Sequence, residues 1–167
     1  MTDSTISNTQ HPVLSIGDAL PDFSLPATSE RTITPEDFKG HYTVLYFYPK
    51  DNTPGCTTEG QEFSELYPEF QSFNCEIFGV SRDSIRKHEN FKAKYNFPFA
   101  LISDEEEQLC RMFDVIKLKK NYGREYLGIE RSTFLLEPET KIIYEWRKVK
   151  AKGHAQIVLD KLKEIQG

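Results

Sequence analysis

Several absences narrow the function of this sequence before any motif is considered. It contains no apolar run of about 18 residues or more, the length that a helix needs to cross a membrane. Its first residues, MTDSTISNTQHP, lack the apolar core of a secretory signal. Basic residues are in the minority, 21 Lys and Arg against 26 Asp and Glu, whereas nucleic-acid-binding proteins usually carry a basic excess. We therefore expect a cytoplasmic protein that binds neither membranes nor nucleic acid.

Cysteine is scarce as well, with Cys56, Cys75 and Cys110 as the three examples in the chain. They are far apart and form no C-x-x-C pair, which argues against a structural zinc site. The four histidines show no metal-binding spacing such as H-E-x-x-H. An odd number of cysteines in a cytoplasmic chain indicates free thiols. We therefore expect no metal site and ask which thiol is reactive.

The residues that are present indicate one globular domain. Hydrophobic residues make up 38% and aromatic residues 13% of the chain, enough for a substantial core. There is no internal repeat and no linker rich in Pro or Gly. We predict a flexible N-terminal tail over residues 1–14 and a single domain over residues 15–167.

Short apolar runs alternate with segments of helical periodicity. This order predicts an α/β sandwich with a mixed central sheet, flanked by helices and preceded by a short N-terminal hairpin. The run TVLYFY (43–48) is apolar almost throughout, as in a strand buried on both faces. The other strands are predicted at 23–28, 31–34, 76–80, 99–102, 132–136 and 142–146, and residues 117–130 are predicted to form a loop.

Local signals lead to three further predictions. Pro26 lacks a backbone N–H and should place the first strand at an edge of the sheet. Pro68 lies inside the helical pattern of residues 63–70 and should kink or break that helix. Asp104 and Glu107, three residues apart, resemble a capping box at the start of another helix.

The loop after strand 43–48 contains PKDNTPGCTTE and should lie at the carboxyl edge of the sheet, where α/β folds place their sites. Thr53 and Pro54 are typical of a helix start, because Thr caps the first turn and Pro needs no N–H there. Cys56 then falls in that turn, where unpaired N–H groups and the helix dipole favour thiolate over thiol. We expect the Thr53 hydroxyl to face the amide of Cys56, close to a reactive sulfur.

A cysteine in this position suits peroxide reduction, disulfide exchange or phosphate binding. Phosphate binding is disfavoured because the loop has few free N–H groups and no Gly-Lys-Ser/Thr sequence follows. Disulfide exchange of the thioredoxin type needs a second cysteine close by, and residues 57–62 contain none. A buried structural cysteine is the remaining alternative.

The residues around Cys56 resemble those of a known family. Pro49, Thr53 and Cys56 match the P-x-x-x-T-x-x-C motif of peroxiredoxins, and the run YFYPKDNTPGCTTEG resembles their bacterioferritin comigratory protein, or Q-type, branch. A second segment, YG followed by GIERSTF (122–134), matches the same branch in the same order. The resemblance therefore covers about residues 16–165.

This resemblance implies a thioredoxin-like three-layer fold and a thiol-dependent peroxidase. Such an enzyme reduces hydrogen peroxide and organic hydroperoxides in antioxidant defence and needs no metal, haem or flavin. The resemblance makes Cys56 the peroxidatic cysteine and Thr53 the hydroxyl that bonds thiolate and peroxide. It makes Pro49 the shield against water and Arg131 a cation that reaches the site from a later strand. It also favours a monomer, with a dimer as the alternative.

The second half of the cycle is the reduction of the sulfenic acid, and this chain departs there from the pattern of the branch. Many Q-type members carry a resolving cysteine five residues after the peroxidatic one, where this chain has Gln61. Others carry it in the next helix, predicted at 84–95, which has no cysteine here. Cys75 and Cys110 are the remaining candidates for a two-cysteine cycle. We expect a one-cysteine cycle in which thioredoxin, or glutathione with glutaredoxin, reduces the sulfenic acid.

Two other functions stay open at this point. Cys56 paired with a nearby His41, His88 or His154 would make a cysteine hydrolase. Oxidation of Cys56 without turnover would instead make the chain a thiol redox sensor or a partner-binding module.

Overall fold

A seven-stranded mixed sheet forms the centre of the computed structural model, which describes residues 13–167. The order of strands across the sheet is β9-β8-β3-β4-β5-β1-β2, and β6 and β7 form a separate two-stranded sheet. The strands are β1 (Leu25–Ala27), β2 (Arg31–Ile33), β3 (Tyr42–Phe47), β4 (Cys75–Ser81), β5 (Ala100–Ser103), β6 (Ile116–Asn121), β7 (Arg124–Ile129), β8 (Ser132–Leu136) and β9 (Ile142–Trp146). Strand β3 pairs in parallel with β4 and antiparallel with β8, and β1 and β2 form the N-terminal hairpin. The predicted α/β architecture is confirmed.

Helices cover both faces of this sheet. They are α1 (Pro54–Ser72), α2 (Ile85–Tyr95), α3 (Gln108–Met112) and α4 (His154–Gln166). Side chains of α1, α2 and α4 pack in one core cluster, and side chains of α3 pack in a second cluster on the opposite face. Since neighbouring residues of a strand point to opposite faces, Tyr46 enters the first cluster and Phe47 the second. The sheet therefore separates two apolar cores.

The buried strand β3 leads directly into the loop that carries Cys56. Its last five residues are buried, as the apolar run predicts for a strand covered on both faces. Helix α1 then returns across the sheet and packs against α4 and β4. Gly60 allows a close approach there, because a Cβ atom at this position would lie 2.5 Å from the Phe97 ring. The start of α1 is thereby placed at the carboxyl edge of β3.

The N-terminal boundary of the domain is only partly described. Residues 1–12 of the predicted tail lie outside the described residues, so the division into tail and domain stays a prediction. Leu14 is buried, and its amide donates to the carbonyl of Met112 at 2.9 Å. Within residues 13–167, no helix combines the length and the apolar character needed to span a membrane.

The prediction of a loop at 117–130 is wrong, because most of this segment forms the hairpin of β6 and β7. The two strands pair from Ile116 with Ile129 to Asn121 with Arg124. Tyr122 and Gly123 in the connecting turn have positive φ angles of 52° and 77°, as tight hairpin turns require. Three lysines in β6, Lys117, Lys119 and Lys120, make this hairpin resemble a polar loop in sequence.

The prediction that Pro26 marks an edge strand is also wrong. Strand β1 lies between β5 and β2, and β2 forms the edge. The pairing of β1 with β5 is confined to Ala27 and Ile102. The missing N–H of Pro26 is tolerated because this ladder is so short.

Pro68 does not break the helix that it interrupts in sequence. Helix α1 runs from Pro54 to Ser72 with Pro68 inside it. Pro68 is exposed, while Phe63 and Phe70 are fully buried and attach the helix to the core on both sides of the proline. Tertiary packing therefore outweighs the lost backbone bond.

The predicted capping box at Asp104 and Glu107 is not formed. Helix α3 begins only after Glu107, which occupies the N-cap position in a left-handed conformation. The carboxylate of Asp104 instead accepts a hydrogen bond from the amide of Cys110 at 2.7 Å. Asp104 thus satisfies a free N–H in the first turn of α3 from a position outside the helix.

Candidate active site

The start of α1 carries the cysteine that the sequence marks as reactive. Thr53 has the extended backbone of an N-cap residue, and Pro54 is the first helical residue, as predicted. The amide of Thr57 makes the first bond of the helix, to the carbonyl of Thr53 at 2.9 Å. The amide of Cys56 precedes this bond, in the turn where N–H groups have no helical partner. The positive end of the helix dipole therefore acts on Cys56.

Arg131, which is 75 positions from Cys56 in the sequence, lies against its sulfur in the structure. Cys56 is 2% exposed, and Nη2 of Arg131 lies 3.5 Å from its Sγ. A Cβ atom at Gly55 would lie 3.0 Å from the same Nη2, so the glycine leaves room for the guanidinium. Arg131 stands between β7 and β8, which brings it to the edge of the sheet where α1 begins. The predicted meeting of Arg131 with Cys56 is therefore seen in the structure.

The site predicted from the sequence lacks the buried partner of Arg131. Glu59 is fully buried, and its Oε1 accepts a hydrogen bond from Nη1 of Arg131 at 2.6 Å. Burial raises the pKa of Glu59 to about 7, although Arg131 opposes the shift. Cys56 and Glu59 are three residues apart and share a helix face, a spacing that could have indicated a common partner.

The Thr53 hydroxyl is not directed as predicted. It donates to the carbonyl of Lys50 at 2.8 Å, and it forms no side-chain bond to the helix. The left-handed backbone of Asn52, with φ of 62°, turns the loop between the two residues. Pro49 is partly buried at the start of the same loop. Thr53 and Pro49 therefore flank the approach to α1 without a hydrogen bond to Cys56.

A buried hydrogen-bond network fixes this loop. The Tyr48 hydroxyl donates to Asp51 at 2.6 Å, and the amide of Asp51 donates to Asp83 at 2.9 Å. The two ring nitrogens of His88 lie 2.7 Å from the Asp51 carboxylate and 3.0 Å from the carbonyl of Ile102. Atoms of Asp51, Asp83 and His88 lie within 4.8 Å of one another, as metal ligands do. Because these atoms already bind protein partners, we interpret the cluster as the anchor of the loop.

The structure gives no support to a cysteine hydrolase. The ring nitrogens of His41 lie 2.8 and 2.9 Å from backbone carbonyls. His88 belongs to the loop anchor, and Nε2 of His154 lies 2.8 Å from the Thr133 hydroxyl. Among the described residues, no histidine is hydrogen-bonded to Cys56. Residues 13–167 therefore contain no histidine placed to activate Cys56 as the general base of a hydrolase does.

Cys75 lies at the wrong end of the sheet to meet Cys56. It begins β4 and pairs with Tyr42 at the start of β3, whereas Cys56 follows the end of β3. Five residue steps of a strand span roughly 17 Å, and a disulfide needs Cα atoms within about 7 Å. Burial also raises the pKa of the Cys75 thiol. Cys75 is therefore neither close to Cys56 nor inclined to ionise.

Cys110 lies on the other side of the sheet. It is fully buried in the core cluster of α3, while Cys56 belongs to the cluster of α1. Burial raises the pKa of the Cys110 thiol as well. The three cysteines are free thiols, and the position of Cys110 matches that of a core residue.

Known proteins resemble this chain along almost its whole length. Residues 16–145 match the AhpC/TSA family. Peroxiredoxin Bcp of Xanthomonas campestris pv. campestris is 54% identical over 151 residues, which cover 90% of this chain and 94% of that protein. PrxQ of Xylella fastidiosa, solved as a cysteine-to-serine variant, has a TM-score of 0.88 at 47% identity and covers 92% of this chain and 98% of its own. The bacterioferritin comigratory protein of Xanthomonas campestris, studied for its alkyl peroxide reduction activity, has a TM-score of 0.84 at 49% identity, covering 93% and 99%.

Proposed function

The chain belongs to the AhpC/TSA family, in its peroxiredoxin Bcp/PrxQ branch, and on this basis we propose that the Cys56 thiolate carries out its peroxide reduction. The fold is the thioredoxin-like fold of these relatives, and the reduction of peroxides is the activity of peroxiredoxin Bcp. Hydrogen peroxide and organic hydroperoxides are the proposed substrates. The alkyl peroxide reduction of the Xanthomonas relative supports the second class.

The proposed reaction is a displacement on oxygen. The Cys56 thiolate attacks one peroxide oxygen, so that an S–O bond forms while the O–O bond breaks. Sulfur gives up two electrons and becomes a sulfenic acid. The other oxygen leaves as hydroxide or alkoxide and takes up a proton. Because sulfur supplies the electrons, the step needs no metal or organic cofactor.

Positive groups around the sulfur support this step. Negative charge spreads over sulfur and both oxygens as the bonds exchange, and fixed donors at that place lower the barrier. Nη2 of Arg131 and the amide of Cys56 are such donors. We propose that the Thr53 hydroxyl turns from the Lys50 carbonyl to the bound peroxide, and that Pro49 keeps water from the sulfur. The position of both residues on the loop before α1 supports these roles.

The contact between Arg131 and Cys56 at the helix start is the observation that carries the proposal, and Cys56→Ser tests it. A serine hydroxyl fills almost the same space but is a far weaker nucleophile. We expect the variant to consume no hydrogen peroxide in the presence of excess thiol. Cys110→Ser, which changes a cysteine on the other side of the sheet, is the matched control and should keep full activity. Peroxide consumption by the Cys56 variant would refute the mechanism.

We further propose a one-cysteine cycle with an external reductant. Two positions support this cycle: Cys75 lies at the end of β3 away from Cys56, and Cys110 lies on the other face of the sheet. Turnover assays with thioredoxin, and separately with glutathione and glutaredoxin, identify the reductant. Oxidation of Cys56 without turnover in either assay would favour the redox sensor instead. A monomer in the cytoplasm is the proposed form.

A further inference from the structure

Glu59 is a buried acid that lies close to the reacting thiol and has no role in the peroxide reduction proposed above. It lies one helical turn after Cys56 and is fully buried. Its Oε1 is held by Arg131 at 2.6 Å, while its Oε2 has no hydrogen-bond partner. A buried carboxylate oxygen without a donor is costly when charged. The surroundings therefore favour a carboxyl group that keeps its proton.

Two acidic groups share the single charge of Arg131. One guanidinium nitrogen lies against Glu59 and the other against the sulfur of Cys56. Glu62 on the same helix adds a negative charge near Glu59, and Tyr46 from β3 faces it as a neutral phenol. Lys119 from β6 adds a positive charge near Arg131 and Cys56. A thiolate and a carboxylate would thus compete for one cation, so ionisation of one disfavours ionisation of the other.

We propose that Glu59 holds the proton that the Cys56 thiol gives up and releases it when the thiolate becomes a neutral sulfenic acid. Glu59 is then a positioning residue that acts through Arg131, and it is not in contact with peroxide. The proposal rests on the peroxidase step proposed above. The raised pKa of Glu59 agrees with it, because such a group changes its protonation near neutral pH.

The protons balance over the step. In the resting pair, Cys56 is a thiolate and Glu59 is a carboxylic acid. The thiolate takes an OH group from the peroxide, the O–O bond breaks, and an alkoxide leaves. The sulfenic acid carries no charge, so Arg131 is free to stabilise the Glu59 carboxylate. Glu59 loses one proton in this step, and the alkoxide gains one. No net proton is drawn from solution.

Infrared difference spectroscopy tests this proton directly. The carbonyl stretch of a protonated carboxyl is recorded at a pH where ultraviolet absorbance shows Cys56 as thiolate. We expect the band in the reduced wild type and its loss after one equivalent of hydrogen peroxide. Glu59→Gln should lack the band. Glu65→Gln, which removes an exposed carboxylate on the same helix that does not act on Glu59, should keep it.

Cys56→Ser gives a second test that needs no peroxide. A neutral hydroxyl leaves Arg131 entirely to Glu59, so the carboxyl should ionise and the band should be lost. A reduced wild type without the band, or a band that survives oxidation or the serine substitution, would overturn the proposal. Failure of the peroxidase mechanism is a separate result, because it would appear as peroxide consumption by Cys56→Ser.

Discussion

Arg131 binds two groups that compete for its charge, and this sets its expected effect on catalysis. Its fork of donors reaches both Cys56 and Glu59, which a lysine ammonium does less well. The local signals of Thr53, Pro54 and Cys56 were enough to predict a reactive thiol at a helix start. The Arg131–Glu59 pair joins residues 72 positions apart, and a local sequence pattern cannot indicate a contact between residues so far apart.

Arg131→Ala should slow the oxidation of Cys56 about 10²- to 10³-fold, because one fixed donor to the developing charge is lost. The rate constant with hydrogen peroxide, measured in a single turnover, checks this. Arg111→Ala removes an exposed arginine that pairs with Glu107 and should leave the rate unchanged. A rate for Arg131→Ala within twofold of the wild type would remove Arg131 from the reaction.

His154 should make the protein sensitive to acid. Burial and the charge of Arg131 lower its pKa from 6.5 to about 4. The unfolded chain then binds a proton that the folded protein excludes, so stability is lost as the pH falls from 6.5 to about 4. The loss is on the order of 3 kcal/mol for a shift of this size.

The change His154→Gln removes this titration and should reduce the loss of stability between these pH values. Urea unfolding at several pH values gives the free energy of unfolding for both proteins. Parallel pH profiles for the variant and the wild type would show that His154 does not contribute to acid sensitivity.

Among the elements, α1 matters most for the site because its first turn holds Cys56. Its start was predictable from Thr53 and Pro54, since capping is a local property. Its continuation through Pro68 was not, because that depends on packing against the rest of the fold. The β6–β7 hairpin was missed for a related reason: most of its side chains are exposed, so the burial pattern that identifies strands is weak.

Gly60→Ala tests how tightly α1 is placed. Alanine favours a helix by about 1 kcal/mol over glycine, but the new methyl group would meet the Phe97 ring at 2.5 Å. We expect the free energy of unfolding to fall by about 1–3 kcal/mol. Ser64→Ala, on the same helix, removes a buried hydroxyl without a partner and should not destabilise the protein. A Gly60 variant more stable than the wild type would contradict the close packing.

At the scale of the whole molecule, the sheet divides the cysteines. Cys56 lies beyond the carboxyl end of β3, Cys75 lies beside the start of β3, and Cys110 lies on the other face of the sheet. The sequence suggested a one-cysteine cycle from the absence of cysteine at Gln61 and in α2. It could not exclude Cys75 and Cys110, because their distance from Cys56 depends on strand order.

The double variant Cys75→Ser and Cys110→Ser should therefore keep full turnover with the external reductant. Neither thiol takes part in the proposed cycle, and burial keeps both from ionising. Steady-state peroxide consumption, compared with the wild type at equal folded concentration, checks this. A tenfold loss of turnover in a folded variant would indicate that one of these cysteines resolves the sulfenic acid.

The attack of Cys56 on peroxide is tested most directly by the intact mass of the reduced protein after one equivalent of hydrogen peroxide, with a sulfenic acid trap present. We expect a single trap adduct that maps to Cys56, with Cys75 and Cys110 unmodified. A loss of two hydrogens, mapped to a disulfide between Cys56 and another cysteine, would contradict the one-cysteine cycle. An unchanged mass would contradict the attack of Cys56 on peroxide itself.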